Sequence, residues 1–422
     1  MAGTPREYVF SLEQLGVKLG LDQIRALVVD LGRPDLAYRS IVVAGTNGKG
    51  SVTAMIERGL RAAGYRTGRY TSPHLVGIEE RIAIDGQPIS ADQFDTVADR
   101  IRDAARRLPA PPSFFEATTA AALEAFRRAA VDVAVLEVGL GGRLDATNVI
   151  SPVGVAITSI DFDHEQYLGD TIDAIAQEKA GVIKPGAFTV LAENSTEVRQ
   201  VVQASCDRAG APFIFAPDDV HLGAEMIGGR TRLTLRTPRA DYGQMTLGLR
   251  GRHQIANAVT AARVLEALTD RQLLAISPAA VQVALTAVEW PGRLELRQQH
   301  GRDVLIDGAH NPAGARALAA YIQEVYGCRL PFVFGAMRDK KIDQMIGAMA
   351  ASASCIVCTA SDTPRAASPA ELAAVARHVA PALEVIEVTP PMAALAAALS
   401  RGTPAVVAGS LYLAGEIRAE LS

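Results

Sequence analysis

Between Ser40 and Ser51 the chain reads Ser-Ile-Val-Val-Ala-Gly-Thr-Asn-Gly-Lys-Gly-Ser. An apolar run suited to a buried strand stops at Gly45, and a helical pattern runs from Ser51 to Ala63. Strand, glycine-rich turn and helix in this order form a phosphate cradle. Backbone N–H groups and a helix N-terminus face an anion, and Lys49 adds a point charge. Two positions depart from the pattern G-x-x-x-x-G-K-[ST]. Val43 stands where its first glycine belongs, and Gly50 displaces the hydroxyl to Ser51. A nucleoside triphosphate is the expected ligand, held by Thr46, Asn47, Gly48, Lys49, Gly50 and Ser51.

The pattern around this turn is that of an α/β protein. Apolar strand runs alternate with helical periods, which indicates a parallel sheet. Strands are predicted at 67–72, 131–138, 153–160 and 188–192, and a hairpin at 80–88 turning at Asp85-Gly86. Helices are predicted at 91–107, 115–130, 171–180, 254–268 and 278–288. Residues 221–249 become short and strand-rich, as in a small antiparallel flap. Trp290-Pro291-Gly292-Arg293 then breaks the pattern. A second series follows, with strands near 304–307, 331–334, 355–359, 383–388 and 405–408 and helices between them. It lacks G-x-G-x-x-G after its first strand, which argues against a dinucleotide site. At 422 residues the chain exceeds one ordinary core. The expected division is a phosphate-loop, mostly parallel domain over 1–289, a linker over 290–296 and a smaller Rossmann-like domain over 297–422.

Composition removes several classes. A net charge of −4 argues against a nucleic-acid partner. No apolar run reaches the roughly 18–20 residues of a membrane span, and Met1–Phe10 lacks the apolar core of a secretory leader. The four cysteines give no disulfide framework. Cys355-Ile-Val-Cys358 matches C-x-x-C but lies in a strand pattern, where residues three apart face opposite sides. A reducing cytoplasm is the expected compartment.

The turn Gly45-Thr46-Asn47-Gly48-Lys49-Gly50-Ser51 resembles that of the Mur ligase superfamily, most of all its folylpolyglutamate and dihydrofolate synthases. Further segments resemble that family in its own order along nearly the whole chain. They are Tyr70 to Leu75, Leu136 to Asn148, Asp163-His164-Glu165 with Leu168-Gly169, Glu178 to Gly181, Pro291-Gly292-Arg293, and Asp307 to Pro312.

Glu137 ends an apolar strand, where a carboxylate is costly to bury unless paired or metal-bound. The resemblance implies that Glu137, Ser72 and His164 hold Mg²⁺, two ions in all. Imidazole is an unusual partner for this oxygen-preferring ion, and on chemistry alone His164 is equally a loop histidine bonded to Asp161 or Asp163. Lys179 reads from sequence as a solvated helix-end lysine. The resemblance instead implies a catalytic lysine carbamylated by CO₂, which turns a cation into a carboxylate on a long stem. It also places Asn257, Arg293 and Asp307 at the nucleotide and His310 at the glutamate site. Their alternatives are a helix-start polar group, a linker salt bridge and turn residues. Phe114 and Phe115 are either a hydrophobic staple or the wall of a pterin pocket. Asp145 either bonds the pterin edge or holds Arg143. His221, His300 and His378 carry no matching context.

The implied activity is ATP-dependent joining of L-glutamate to dihydropteroate, to reduced folate, or to both, with Lys49, Lys179, His164 and Glu137 as catalytic groups. A monomer is expected. The rivals are another Mur-type amide ligase and a non-ligating nucleotide switch.

Overall fold

The structure, a computed structural model, describes residues 3–16 and 18–421. Met1 and Ala2, which open the segment read above for a leader, lie outside the described residues. An eight-stranded sheet carries the first half. Its strands are β1 (Arg39–Ala44), β2 (Thr67–Tyr70), β3 (Ile82–Ile84), β4 (Gln87–Pro88), β5 (Val133–Glu137), β6 (Gly154–Ile157), β7 (Phe188–Leu191) and β8 (Phe213–Phe215). Their spatial order is β4-β3-β2-β5-β1-β6-β7-β8. Only the β3–β4 hairpin edge runs antiparallel.

β1 shows why the centre of this sheet is mostly apolar. Val42 and Ala44 enter the core on one face, and Ile41 and Val43 enter the core on the other. A strand covered on both sides reads as a near-continuous apolar run. The Lys49–Ala62, His253–Asp270 and Pro278–Thr286 helices supply Met55, Leu60, Leu265 and Leu285 to the second of these cores. The antiparallel flap forms as β9 (His221–Ile227), β10 (Arg230–Arg236) and β11 (Asp241–Thr246). It docks Leu233, Leu235 and Tyr242 into the same core.

The second sheet has β12 (Glu295–Gln299), β13 (Arg302–Ile306), β14 (Leu330–Phe334), β15 (Ala353–Cys358), β16 (Glu384–Glu387) and β17 (Ala405–Ala408). Their order is β12-β13-β17-β14-β15-β16. All pairs are parallel except β12–β13. Cys355 and Cys358 lie in cores on opposite faces of this sheet, as strand period requires.

Several elements differ from the sequence reading. The helices Pro5–Ser11, Asp22–Asp30 and Thr196–Ala209 and the short strand β8 were not anticipated. β12 was missed because Glu-Leu-Arg-Gln-Gln has no apolar run. It is an edge strand, paired only with β13 and half exposed. Glu295 and Leu296, read as linker, therefore begin a strand. Asn257 sits in the second turn of its helix, which starts at His253.

Candidate active site

The glycine turn is built around close approaches. Gly45 has φ +139° and abuts the Thr158 side chain, while Gly48 has φ +88° and abuts the Asn257 carboxamide. Any Cβ at either position would clash, and positive φ alone favours glycine there. The turn is pinned from β6 outward. Thr46 N–H donates to Ser159 O at 2.8 Å, and the Thr46 hydroxyl donates to Asp161 O at 3.0 Å. The Lys49–Ala62 helix starts immediately after, with Gly48 as its N-cap. Asn257 donates to Gln254 at 2.9 Å, and Gln254 donates to the Ser51 hydroxyl at 3.3 Å. The helix carrying Asn257 is thereby locked to the turn.

Glu137 ends β5, the neighbour of β1, so it reaches the crevice where strand order reverses, the usual ligand position in such sheets. Its side chain is buried and accepts the Ser72 N–H at 3.3 Å. Burial pushes its pKa up, and Lys49, the Ser72 N–H, Arg293 and Arg69 oppose that rise. Lys49 itself donates to Thr46 O at 3.1 Å.

Lys179 is not solvated. Its side chain is buried and Nζ donates to Gly45 O at 2.7 Å. Burial first, and then Lys49, lower its pKa to about 7; Asp163 and Asp145 counteract them. His164 is partly exposed, with φ +52°, and its Nε2 lies 3.9 Å from Asp163. Burial lowers its pKa to about 4 against the pull of Asp163, which leaves a neutral imidazole at neutral pH. Lys49 acts electrostatically on Glu137, Lys179 and His164 alike. That shared influence places the three groups around one cationic centre.

Residues from the second sheet close the crevice. Asn311 donates to Asn47 at 3.0 Å and to Asp163 at 3.4 Å. Lys340, just beyond β14, forms a 2.8 Å pair with Asp163, with both side chains nearly buried. Lys340 escaped the sequence reading. The only signal was a charged run, Asp339-Lys340-Lys341, after a strand. Arg293 and Asp307 also meet: Arg293 opposes the upward shift that burial gives Asp307. Asp307 accepts the Leu294 and Ala309 N–H groups, each at 2.9 Å. His310 Nδ1 is 2.8 Å from Gly308 O, and Nε2 is 3.9 Å from Asp163.

The aromatic pair packs against the core that holds Val42 and Leu136. Ser113 and Glu116 form a capping box, with Glu116 N–H donating to Ser113 Oγ and Glu116 Oε2 accepting Ser113 N–H. Phe115 packs over Gly139 and 6.0 Å from the Tyr70 ring. Phe114 stacks with Phe10 and lies under the Arg81 guanidinium. Arg81 also donates to His74 Nδ1 at 2.9 Å. Asp145 does not hold Arg143, which pairs with Glu178 at 2.7 Å. Its oxygens accept from Leu140 N–H, Thr147 N–H and the Thr147 hydroxyl. His221, His300 and His378 are exposed.

Among the described residues no three His, Cys, Asp or Glu side chains gather at metal-binding spacing. The donors still suit Mg²⁺, which takes one or two carboxylates and completes its shell with phosphate oxygens and water. Among the described residues Glu137 accepts one protein hydrogen bond at the crevice, so oxygen lone pairs remain for an ion.

Residues 43–265 match the Mur ligase middle domain, and residues 292–411 match the Mur ligase glutamate ligase domain. The chain belongs to the Mur ligase family. This Mur ligase is 36% identical to the dihydrofolate synthase/folylpolyglutamate synthase of Bacillus subtilis over 87% of each chain. A Mycobacterium tuberculosis folylpolyglutamate synthase complexed with ADP superposes with TM-score 0.90 at 34% identity, covering 99% of this chain and 98% of that one. The E. coli FolC complex with DHPP and ADP superposes with TM-score 0.87 at 27% identity, covering 99% and 98%. The protein is therefore an ATP-dependent ligase. No helix among the described residues is long and apolar enough to cross a membrane.

Proposed function

We propose that this Mur ligase joins L-glutamate to dihydropteroate and to the glutamyl tail of reduced folate through an acyl phosphate. The observation that carries the reading is the convergence of Lys49, Glu137 and Arg293 on one crevice between the two sheets. A carboxylate and an amine do not condense usefully in water. The acid oxygen attacks the ATP γ-phosphorus, and ADP leaves. The α-amine of glutamate then attacks the acyl carbon, and phosphate departs with the acid's oxygen.

Each residue has a place in that sequence. The turn 46–51 cradles the phosphates, with Asn257 and Asp307 toward the nucleoside. Lys49 and Arg293 stabilise charge on the transferring group. Glu137, Ser72 and His164 would hold Mg²⁺, two ions in all, which neutralises triphosphate oxygens when bound. A pKa near 7 leaves Lys179 substantially neutral at physiological pH, the form that reacts with CO₂ to give a carbamate. Phe114, Phe115 and Asp145 face the pterin of dihydropteroate, and His310 faces glutamate. The contacts of Asn311 and Lys340 hold the 297–422 domain against the 1–289 domain. This excludes water that would hydrolyse the acyl phosphate. A monomer working in the cytoplasm completes the proposal.

ADP release measured with dihydropteroate, with and without L-glutamate, tests it. Turnover is expected to require both. Hydrolysis indifferent to both would instead identify a nucleotide switch.

A further inference from the structure

A cavity of about 520 Å³ opens beside Glu137 and extends away from the glycine turn. Its volume lies within the range of small-molecule pockets. Ser72, Glu137 and Arg293 line it where it meets the crevice. Elsewhere its wall is cationic. Arg58 and Arg61 reach it from the Lys49–Ala62 helix, and Arg69 reaches it from β2.

Arg61 and Arg69 face one buried carboxylate, and among the described residues Arg58 has no carboxylate partner. Glu57 lies 3.2 Å from Arg61 Nε and 3.8 Å from Arg69 Nη1, and it accepts the Thr67 hydroxyl at 2.6 Å. Among the described residues Arg61 Nε is ion-paired to Glu57 but makes no hydrogen bond, and Arg69 Nε is buried with no hydrogen-bond acceptor. The remaining acids do not balance the charge. Glu80 is occupied by the Leu75, Val76 and Gly77 N–H groups, and Glu289 is exposed at the rim. Arg418, also in the wall, is already paired with Glu295. Trp290 forms a flat shelf, with the Arg69 guanidinium 4.9 Å from its ring centre.

We propose that this cavity seats the γ-linked glutamyl tail of the acceptor, with its α-carboxylates on Arg58, Arg61 and Arg69. The inference rests on the ligase reading above. Every residue of a γ-linked tail keeps a free α-carboxylate, so each addition brings one more negative charge. Guanidinium groups match carboxylates in a planar, two-bonded fork. One buried carboxylate leaves guanidinium charge in this wall in excess, and a carboxylate in the cavity would take up that excess through charge-assisted hydrogen bonds. The geometry also sets direction. The terminal γ-carboxyl meets the phosphoryl group beside Glu137, earlier tail residues lie along the arginines, and the pterin of a tailed acceptor lies beyond them, apart from the Phe114, Phe115 and Asp145 seat used by dihydropteroate.

Trp290 is the only tryptophan in the chain, which gives a direct readout. The full-length protein with ADP is titrated with γ-linked triglutamate lacking any pterin. A saturable change in tryptophan emission is expected, weakened about tenfold in Arg58→Ala and Arg61→Ala, or 1.4 kcal/mol in binding. In turnover, KM for a triglutamyl folate is expected to rise about tenfold in these variants, with kcat/KM for dihydropteroate unchanged. Arg58 is half-buried on a helix surface, so its variant tests the idea without threatening the fold. Arg69→Lys is expected to keep the charge yet lose affinity. Equal effects at every tail length, or none, would overturn the tail site while dihydropteroate turnover persists. Loss of wild-type dihydropteroate turnover would instead strike the ligase reading.

Discussion

The two large sheets share an architecture and divide the work. Each is parallel at its centre and wrapped by helices, and each turns the carboxyl ends of its strands toward one crevice. The first sheet carries tight backbone turns and buried charge there: positive-φ glycines, Glu137 beside Lys49, and Lys179 under the turn. The second sheet carries contacts. Asn311 reaches Asn47, and Lys340 reaches Asp163. Its own cysteines are ordinary core groups. A chemically loaded sheet and a docking sheet should therefore respond differently to substitution.

The largest effect is expected in the first sheet. Lys49→Ala should lower ADP release by about a thousandfold, the scale of losing a charge-stabilising donor. Its thermal midpoint should barely move, since Lys49 makes one protein hydrogen bond. An unfolded variant would remove the contrast. Next comes Lys340→Met on the second sheet. It should cut glutamate-dependent turnover by roughly ten- to a hundredfold through misplacement, with nucleotide affinity, measured by calorimetry, nearly unchanged. Equal losses in both would mean that Lys340 itself supports nucleotide binding, beyond the Arg293 and Asp307 contacts.

Lys179 gives a pH signature. Its pKa falls from 10.5 to about 7 on folding. Between those values the unfolded chain holds the extra proton, so stability rises with pH, by at most about 1.4 kcal/mol per unit. Below about 7 both states are protonated and the slope vanishes. In CO₂-free buffer, wild type should gain stability relative to Lys179→Met between pH 7.5 and 9, read by denaturant titration. A flat difference would place the ammonium in solvent. The smallest effect belongs to the second core. Cys358→Ala should cost about 1–2 kcal/mol and leave kcat untouched. A loss of activity would revive a redox or zinc role for Cys355 and Cys358.

What could be read from the chain follows the same division. The glycine turn was legible because close backbone approach and positive φ restrict residue type at Gly45 and Gly48. Buried strands such as β5 were legible because both faces are covered. β12 was not, since an edge strand tolerates Glu, Arg and Gln. Lys340 was not, because its partner Asp163 lies 177 residues away and only docking brings them together. Lys179 reads as a surface lysine by residue type, and tertiary packing alone buries it. Asp145 offered two partners in sequence, and the fold gave its oxygens to its own loop.

The central claim is that an organic acid accepts the γ-phosphoryl group before glutamate arrives. Dihydropteroate labelled with ¹⁸O in its carboxylate tests it directly, with released phosphate analysed by mass spectrometry. One labelled oxygen is expected in the phosphate for every amide bond formed. Unlabelled phosphate accompanying labelled substrate and normal product would contradict the account.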